Sequence, residues 1–346
     1  MNPLSKIIKS IQPLDASAMQ NARELLNGKL KPPGSLGRLE DIAVKLAGIG
    51  GVAGGTFRKK TIIVMCADNG VTEEGVSSFP ADISVLVAET MLKGISGVSV
   101  LARHAGADLR VIDIGLFGDV PDGRIIDRKI RRGTSNMAKG PAMGRAEAER
   151  AIETGMEMAG AAIDEGADIL GTGEIGIGNT TTASAVLHVL TGEGLGGIVG
   201  RGAGLTDEGL RRKQEVIRRA VELNRPDPND AVDVLAKVGG FDIAGLAGCY
   251  LAAASRRRPI VIDGFIAGSA AVAAVKMHPG VRDFMFTSHA SAEPGVAAIT
   301  RVLGLEPMLA LDMRLGEGTG AALAFHVIEA AVKIMNEMGT FKDIGM

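Results

Sequence analysis

Five short, almost continuously apolar runs, each closing on a Gly-, Asp- or His-bearing turn, limit what this chain can fold into more than any other feature. They are residues 61–66 (TIIVMC), 109–114 (LRVIDI), 167–170 (ADIL), 259–262 (PIVI) and 283–288 (DFMFTS). A strand with one wet face alternates apolar and polar residues. Runs apolar on both faces belong inside a parallel sheet covered by helices. Helical patterns fill the intervals, so the spacing predicts an α/β fold: an open, mostly parallel sheet flanked by helices. In such sheets ligands bind beyond the carboxyl ends of the strands. The turns at 67–70 (ADNG), 171–173 (GTG) and 263–264 (DG), together with Gly115 and His289, are placed there.

The chain ends read differently. Residues 14–26 and 320–338 carry helical periodicity, and the basic, Pro-bearing segment 29–34 (KLKPPG) stops the first of these patterns. The expected organisation is a small helical domain, 1–58 with 301–346, against a sheet domain, 59–300. The length of 346 residues, 46% of them apolar, is enough for two such units. A net charge of −2 offers no general attraction to nucleic acid or anionic membrane, and 3% aromatics without Trp supply no base-stacking platform. Cys66 and Cys249 have neither disulfide-framework numbers nor metal-ligand spacing, and read as small buried hydrophobes. The opening residues 1–8 show no secretory h-region, and the apolar runs near 243–255 and 259–275 are short or interrupted. A soluble cytoplasmic protein is expected, without nucleic-acid or membrane partners.

Candidate chemistry concentrates in three places. Residues 171–182 (GTGEIGIGNTTT) join a glycine loop to hydroxyls and an Ala-rich helix. Converging backbone N–H groups of Gly176 and Gly178, donors from Asn179, Thr180 and Thr181, and the helix N-terminus together make a phosphate cradle. Neither the Walker spacing nor the dinucleotide Gly-x-G-x-x-G spacing is present, and a structural glycine turn remains an equal alternative for this segment alone. A second cluster, 199–208 (VGRGAGLTDE), carries Gly202, Ala203 and Gly204 ahead of a basic helical stretch. Most of that stretch reads as a solvated face. Lys213 is the exception, within two turns of the cluster and able to meet a phosphate as a point charge.

The third place is 314–323 (RLGEGTGAAL), where Glu317 stands between two glycines ahead of a helix. It reads either as a first-turn carboxylate serving the helix dipole or as a base whose flanking glycines admit a substrate, with the following helix favouring its ionised form. Glu174, beside the phosphate loop, is a second carboxylate that can orient ribose or share the electrostatic role. Asp263 and Asp68 each follow a strand and are candidate ribose or phosphate contacts. His289 and Ser291 can reach a phosphate or carboxylate, or simply order their turn. His104, His188, His278 and His326 fall in no ligand-spaced set.

Many ordered motifs point the same way: 31–39 (KPPGSLGRL), 67–71 (ADNGV), 75–77 (GVS), 133–136 (GTSN), 140–143 (GPAM), 173–182, 200–204 (GRGAG), 238–240 (VGG), 263–266 (DGFI), 288–295 (SHASAEPG) and the segment around Glu317. On these, nearly end to end, the chain resembles the nicotinate-nucleotide:5,6-dimethylbenzimidazole phosphoribosyltransferases of cobalamin biosynthesis. The resemblance implies a Rossmann-like sheet, phosphoribosyl transfer from nicotinate mononucleotide to a benzimidazole nitrogen with inversion, no metal or organic cofactor, and a homodimer. By the same resemblance Glu317 is the catalytic base, 176–181 the phosphate loop, and 77–86 a base pocket. Ser78, Phe79 and Pro80 belong to that pocket, with Leu315 facing the substrates.

Four positions depart from the family pattern. Asn69 and Val296 stand where His is usual, Ser99 where Asn is common, and the end of 77–86 lacks a Gln. The expectation is therefore an intact donor site and an altered preference among substituted bases. A non-catalytic nucleotide-binding protein has no need of the Gly-Glu-Gly carboxylate, and a dinucleotide-dependent oxidoreductase requires the glycine fingerprint that is missing.

Overall fold

A computed structural model describes residues 3–50, 57–80 and 82–345. Met1 and Asn2 of the opening segment, residues 51–56 beside the expected domain boundary, Ala81 of the expected base pocket and Met346 lie outside the described residues.

Six strands form one sheet: β1 (Lys60–Ala67), β2 (Ala107–Gly115), β3 (Ile126–Asp127), β4 (Ile169–Ile175), β5 (Ile260–Ile262) and β6 (Met285–Thr287). Their order is β3-β2-β1-β4-β5-β6, and every neighbouring pair is parallel. The open parallel sheet predicted from the apolar runs is the observed architecture. β1 lies at its centre, buried from Thr61 to Ala67. Alternation along β1 sends Ile62 toward the helix Thr319–Glu337 and Met65 toward the helix Phe241–Ser255, so these helices cover opposite faces. Chain order reverses between β1 and β4, so the crevice lies beyond their carboxyl ends.

Two local readings change. The glycines of 171–173 do not turn the chain but lie within β4. They are there for close approach: a Cβ on Gly173 would stand 2.1 Å from the Glu317 carbonyl oxygen, and one on Gly171 3.1 Å from the Ala321 Cβ. The last apolar run is divided, with Asp283 and Phe284 ending a 3₁₀ turn, Pro279–Phe284, and only Met285–Thr287 paired. The two-residue edge strand β3 carries no periodic signal.

At the chain ends, Asp15 caps the helix Ala16–Asn27 by accepting from Ala18 N at 2.9 Å, and Gly28 closes it ahead of the proline segment. That helix packs on Arg38–Ile49, and both meet Thr319–Glu337. Lys29 and Thr340 form an antiparallel bridge, Leu30 N donates to Gly339 O at 2.9 Å, and Lys29 Nζ donates to Met338 O at 2.7 Å. By length and composition the stretch Ile83–Ala105 is apolar enough to cross a bilayer. It is broken at Lys93–Ser96 into the helices Ile83–Leu92 and Gly97–Ala105, whose Ala88, Met91, Val98 and Ala102 enter the common core.

Candidate active site

β4 delivers Glu174 and Ile175 to the crevice, and the chain then turns through Gly176, Ile177 and Gly178 into the helix Asn179–Thr191. Gly178 holds φ at 91°, a left-handed value that places the helix N-terminus directly behind the loop. The loop is braced from β1. Asn69 N donates to Ile177 O at 3.2 Å, and Ile177 N donates to Ser84 Oγ at 3.1 Å. Ser84 donates in turn to Asp68, whose other oxygen accepts from Phe117 N at 2.9 Å. Both Asp68 oxygens are thus used inside the scaffold, and burial raises its carboxyl above the usual range. Asp68 props the loop instead of facing a ligand.

The 200–204 loop faces this cradle. Thr206 caps the following helix, Asp207–Asn224, by accepting from Gly209 N at 3.2 Å. Three of its exposed basic residues pair with acids: Arg212 with Glu208, Arg218 with Glu215, Arg219 with Glu74. Lys213 points inward, fully buried, and donates to Thr180 Oγ1 at 2.9 Å and Gly200 O at 3.1 Å. Burial lowers its ammonium to about 8, the charge of Glu293 opposing. With two of its three N–H donors committed, it fastens the two loops together from behind Thr180, outside the residues that line the cavity between them.

Between the loops opens a cavity of about 930 Å³. Gly176, Asn179, Thr180, Gly202, Ala203, Gly204 and Ser291 line it, with Glu174 and His289 at its floor. Phe79 and Leu315, 51% and 60% exposed, stand at its wall with Arg314. Ser78 and Pro80 are exposed on either side of Phe79 and outside the lining. Gly178 backs onto Thr72 and Asn69, and Thr181 is fully buried behind the loop.

The wall ends at Leu315 and Gly316; Glu317, next in the chain, is buried outside the lining and is itself left-handed at φ 65° between Gly316 at 82° and Gly318 at 103°. For a side chain larger than Gly this conformation is strained by ~1 kcal/mol or more, and the surroundings must hold it. They do so from two sides. Asp263 accepts from Gly318 N at 3.1 Å, Gly320 N at 2.7 Å and Ala321 N at 3.3 Å, so it occupies the N-terminus of the following helix. Glu317 instead accepts from Val98 N at 3.0 Å, at the N-terminus of the helix Gly97–Ala105. The helix dipole expected behind Glu317 is therefore supplied by a different helix. Burial raises the Glu317 carboxyl above its usual range, the Val98 bond opposing and the charge of Asp263 adding. Asp263 is also raised by burial, opposed first by His289, and does not reach the cavity lining.

Glu174 is buried at the end of β4, and the Asn179 side-chain amide donates both to Glu174 and, at 3.1 Å, to Asp242 Oδ2. Burial first, then the charges of Asp242 and Asp263, pushes the Glu174 carboxyl far up. Asp242, in the first turn of Phe241–Ser255, was not singled out in the sequence. It stands one residue beyond the Gly239–Gly240 pair, which is the one local mark it carries. Asn69 and Ser99, two of the positions departing from the family pattern, are buried in the scaffold: Asn69 accepts from Thr182 Oγ1 at 3.3 Å and Ser99 donates to Met91 O at 2.9 Å. No group of His, Cys, Asp and Glu suited to a metal occurs among the described residues.

A family model described as phosphoribosyltransferase matches residues 11–346. The nicotinate-nucleotide–dimethylbenzimidazole phosphoribosyltransferase of Ruminiclostridium cellulolyticum is 54% identical over 336 residues, covering 97% of this chain and 96% of the relative. Its namesake from Clostridium acetobutylicum is 53% identical, with 98% and 97% covered. The crystal structure of the enzyme of that name from Thermus thermophilus superposes with a TM-score of 0.91 at 40% identity, over 96% of this chain and 99% of that one.

Proposed function

The chain belongs to the nicotinate-nucleotide–dimethylbenzimidazole phosphoribosyltransferase family, and from that premise we propose how its own residues carry the reaction. It transfers phosphoribosyl from nicotinate mononucleotide to 5,6-dimethylbenzimidazole, releasing nicotinate. The observation that carries the mechanism is a single cavity with a glycine cradle on one side and the segment leading to a buried, hydrogen-bonded Glu317 on the other.

The 5′-phosphate sits against the N–H groups of 176–181 and the 202–204 turn, with Lys213 behind Thr180. The C1′–N bond to the pyridinium ring breaks with its electron pair going to the ring nitrogen, so the leaving nicotinate ring becomes neutral without an acid. Positive charge spreads over the ribose as this happens, and the carboxylates below stabilise it. A nitrogen of the acceptor base, held between Phe79 and Leu315, attacks C1′ from the opposite face and inverts β to α. Its other ring nitrogen gives its proton to Glu317, which later releases it to water. Burial suits Glu317 to this role: its raised carboxyl remains a better proton acceptor than an exposed glutamate, and the Val98 N–H fixes its direction.

Incubating the protein with nicotinate mononucleotide and 5,6-dimethylbenzimidazole releases nicotinate and the α-riboside phosphate in equal amounts; no nicotinate above a base-free control overturns the proposal. With benzimidazole, its 5-hydroxy form, the 5,6-dimethyl form and adenine competing in one assay, several benzimidazoles are consumed. Strict selection of the dimethyl form would remove the altered base preference.

The organisation proposed around this chemistry is a helical unit, 1–58 with 301–346, that brings Glu317 to the sheet unit 59–300, in a cytoplasmic homodimer. Supporting the dimer, Leu86, Ile95 and Val100 are 54%, 69% and 49% exposed on the neighbouring helices Ile83–Leu92 and Gly97–Ala105 and the turn joining them. In sedimentation the wild type runs as a dimer, and L86E/I95E runs as a monomer at the same concentration. A monomeric wild type sinks this assignment.

A further inference from the structure

The pair Glu174–Asp242 is unusual in what it lacks. Both side chains are buried, 5% and 0% exposed, and one amide group, Asn179 Nδ2, is divided between them. The second Asp242 oxygen, Oδ1, is buried with no hydrogen-bond partner. Among the described residues no Lys, Arg or His forms an ion pair with either carboxylate. The charged or titratable groups acting on them from the packed elements are Asp68 after β1, Asp263 after β5 and Glu317 on the last turn, all acidic. The neutral Cys66 thiol lies on β1 near both. Burying two adjacent carboxylates costs several kcal/mol per ion unless a cation or a proton neutralises them. Burial raises Asp242 to about 7 and Glu174 well above its ordinary range, which favours a proton on the pair near neutral pH.

We propose that Asp242 is a positioning residue for the transfer: through Asn179 it holds Glu174 at the end of β4, and the pair forms an anionic seat completed by the cationic pyridinium ring of the donor. The inference rests on the reaction proposed above. Glu174 lines the cavity and meets the substrate, whereas Asp242 lies outside the lining and acts through Asn179. When the donor enters with its pyridinium nitrogen toward the pair and its ring carboxylate turned away, that positive charge replaces the proton held by the pair, which leaves to solvent. When the glycosidic bond breaks, the positive charge passes to the ribose and the seat continues to face it. The backbone N–H groups of Ile243 and Asp242 at the start of its helix offset the charge of Asp242 only in part, and its Oδ1 is left without a hydrogen-bond partner.

Binding calorimetry of the whole enzyme near pH 7, in two buffers of different ionisation enthalpy, tests this with nicotinate mononucleotide and with ribose 5-phosphate. Ribose 5-phosphate shares the phosphate but has no pyridinium ring. Nicotinate mononucleotide should release measurably more protons than ribose 5-phosphate, because both carboxyls of the pair are raised by burial and hold proton near that pH. In D242N the excess release falls, because Glu174 alone is left to titrate, and KM for the donor rises about tenfold, as for a lost bond to a charged group. The wild-type KM should climb as pH falls below about 7, where the pair holds its proton, and that limb should shift in D242N. Equal proton release from the two ligands overturns the inference, and so does a folded D242N with wild-type KM and pH profile. If D242N does not fold, the wild-type proton count decides alone. These outcomes are separate from the transfer itself: an enzyme that makes the α-riboside phosphate without excess proton release keeps its reaction and loses this seat.

Discussion

Glu317→Gln lowers kcat by about 10²- to 10⁴-fold, the range of a positioned general base, while donor affinity changes little. Gln keeps the length of the side chain and an oxygen to accept from Val98 N, so the left-handed turn and its seat survive. What it loses is the capacity to take the proton from the acceptor ring. Glu317→Ala should cost at least as much turnover and also empty the seat. The wild-type kcat has an acid limb, because a carboxylate raised by burial is protonated, and so disabled, as pH falls through a value above the ordinary Glu range. Gln has no such titration, so its residual rate should be flat there. Steady-state kinetics from pH 5 to 9, with donor binding measured by calorimetry, checks both parts. Wild-type turnover in the Gln variant would end the base assignment.

Gly173→Ala should disable the enzyme from the other side of the same contact. The added methyl would meet the Glu317 carbonyl oxygen at 2.1 Å, its carbonyl carbon at 2.5 Å and Gly318 N at 2.8 Å. All three are backbone atoms, so no rotamer change relieves the clash; either β4 or the Glu317 turn has to move. Overpacking of this kind costs about 3 kcal/mol. In a chain of this length that lowers Tm by about 4 °C. Displacing a base by even an ångström also lowers kcat by about a hundredfold. Gly140→Ala is the control, since nothing lies within 4 Å of its Cβ position and its φ is not left-handed. Gly173→Ala with control-like Tm and kcat would show that the sheet does not fix Glu317.

The parallel sheet was readable because burial on both faces leaves a continuous apolar run, and the central β1 is such a run from end to end. The glycines of β4 were misread because a turn and a close backbone approach make the same demand, the absence of Cβ, and only the chain lying across them tells the two apart. The two-residue β3 is too short for any period. Around the cavity, the glycine cradle and the carboxylate between glycines could be picked out locally, and strand ends brought them to one crevice. Their supports could not. Val98 is 219 residues from Glu317, and the Ser84 link between Asp68 and the phosphate loop joins three separate segments. Asp242 shows why such groups stay hidden: a lone acid at a helix start looks like an ordinary first-turn residue until its shared amide and unpaired oxygen are seen.

The bridge between Lys29 and Thr340 has a consequence for the order in which the molecule is made. A ribosome releases the N-terminal helices hundreds of residues before their partner, the Thr319–Glu337 helix, exists. β1 similarly waits for β4 to complete the switch point of the sheet. The nascent chain therefore carries an unfinished apolar surface through most of translation, and the strained Glu317 turn, with Asp263 and Val98 already waiting for it, is among the last pieces seated. The final segment therefore brings Glu317 together with the helix that closes the core, and a chain terminated before it lacks both.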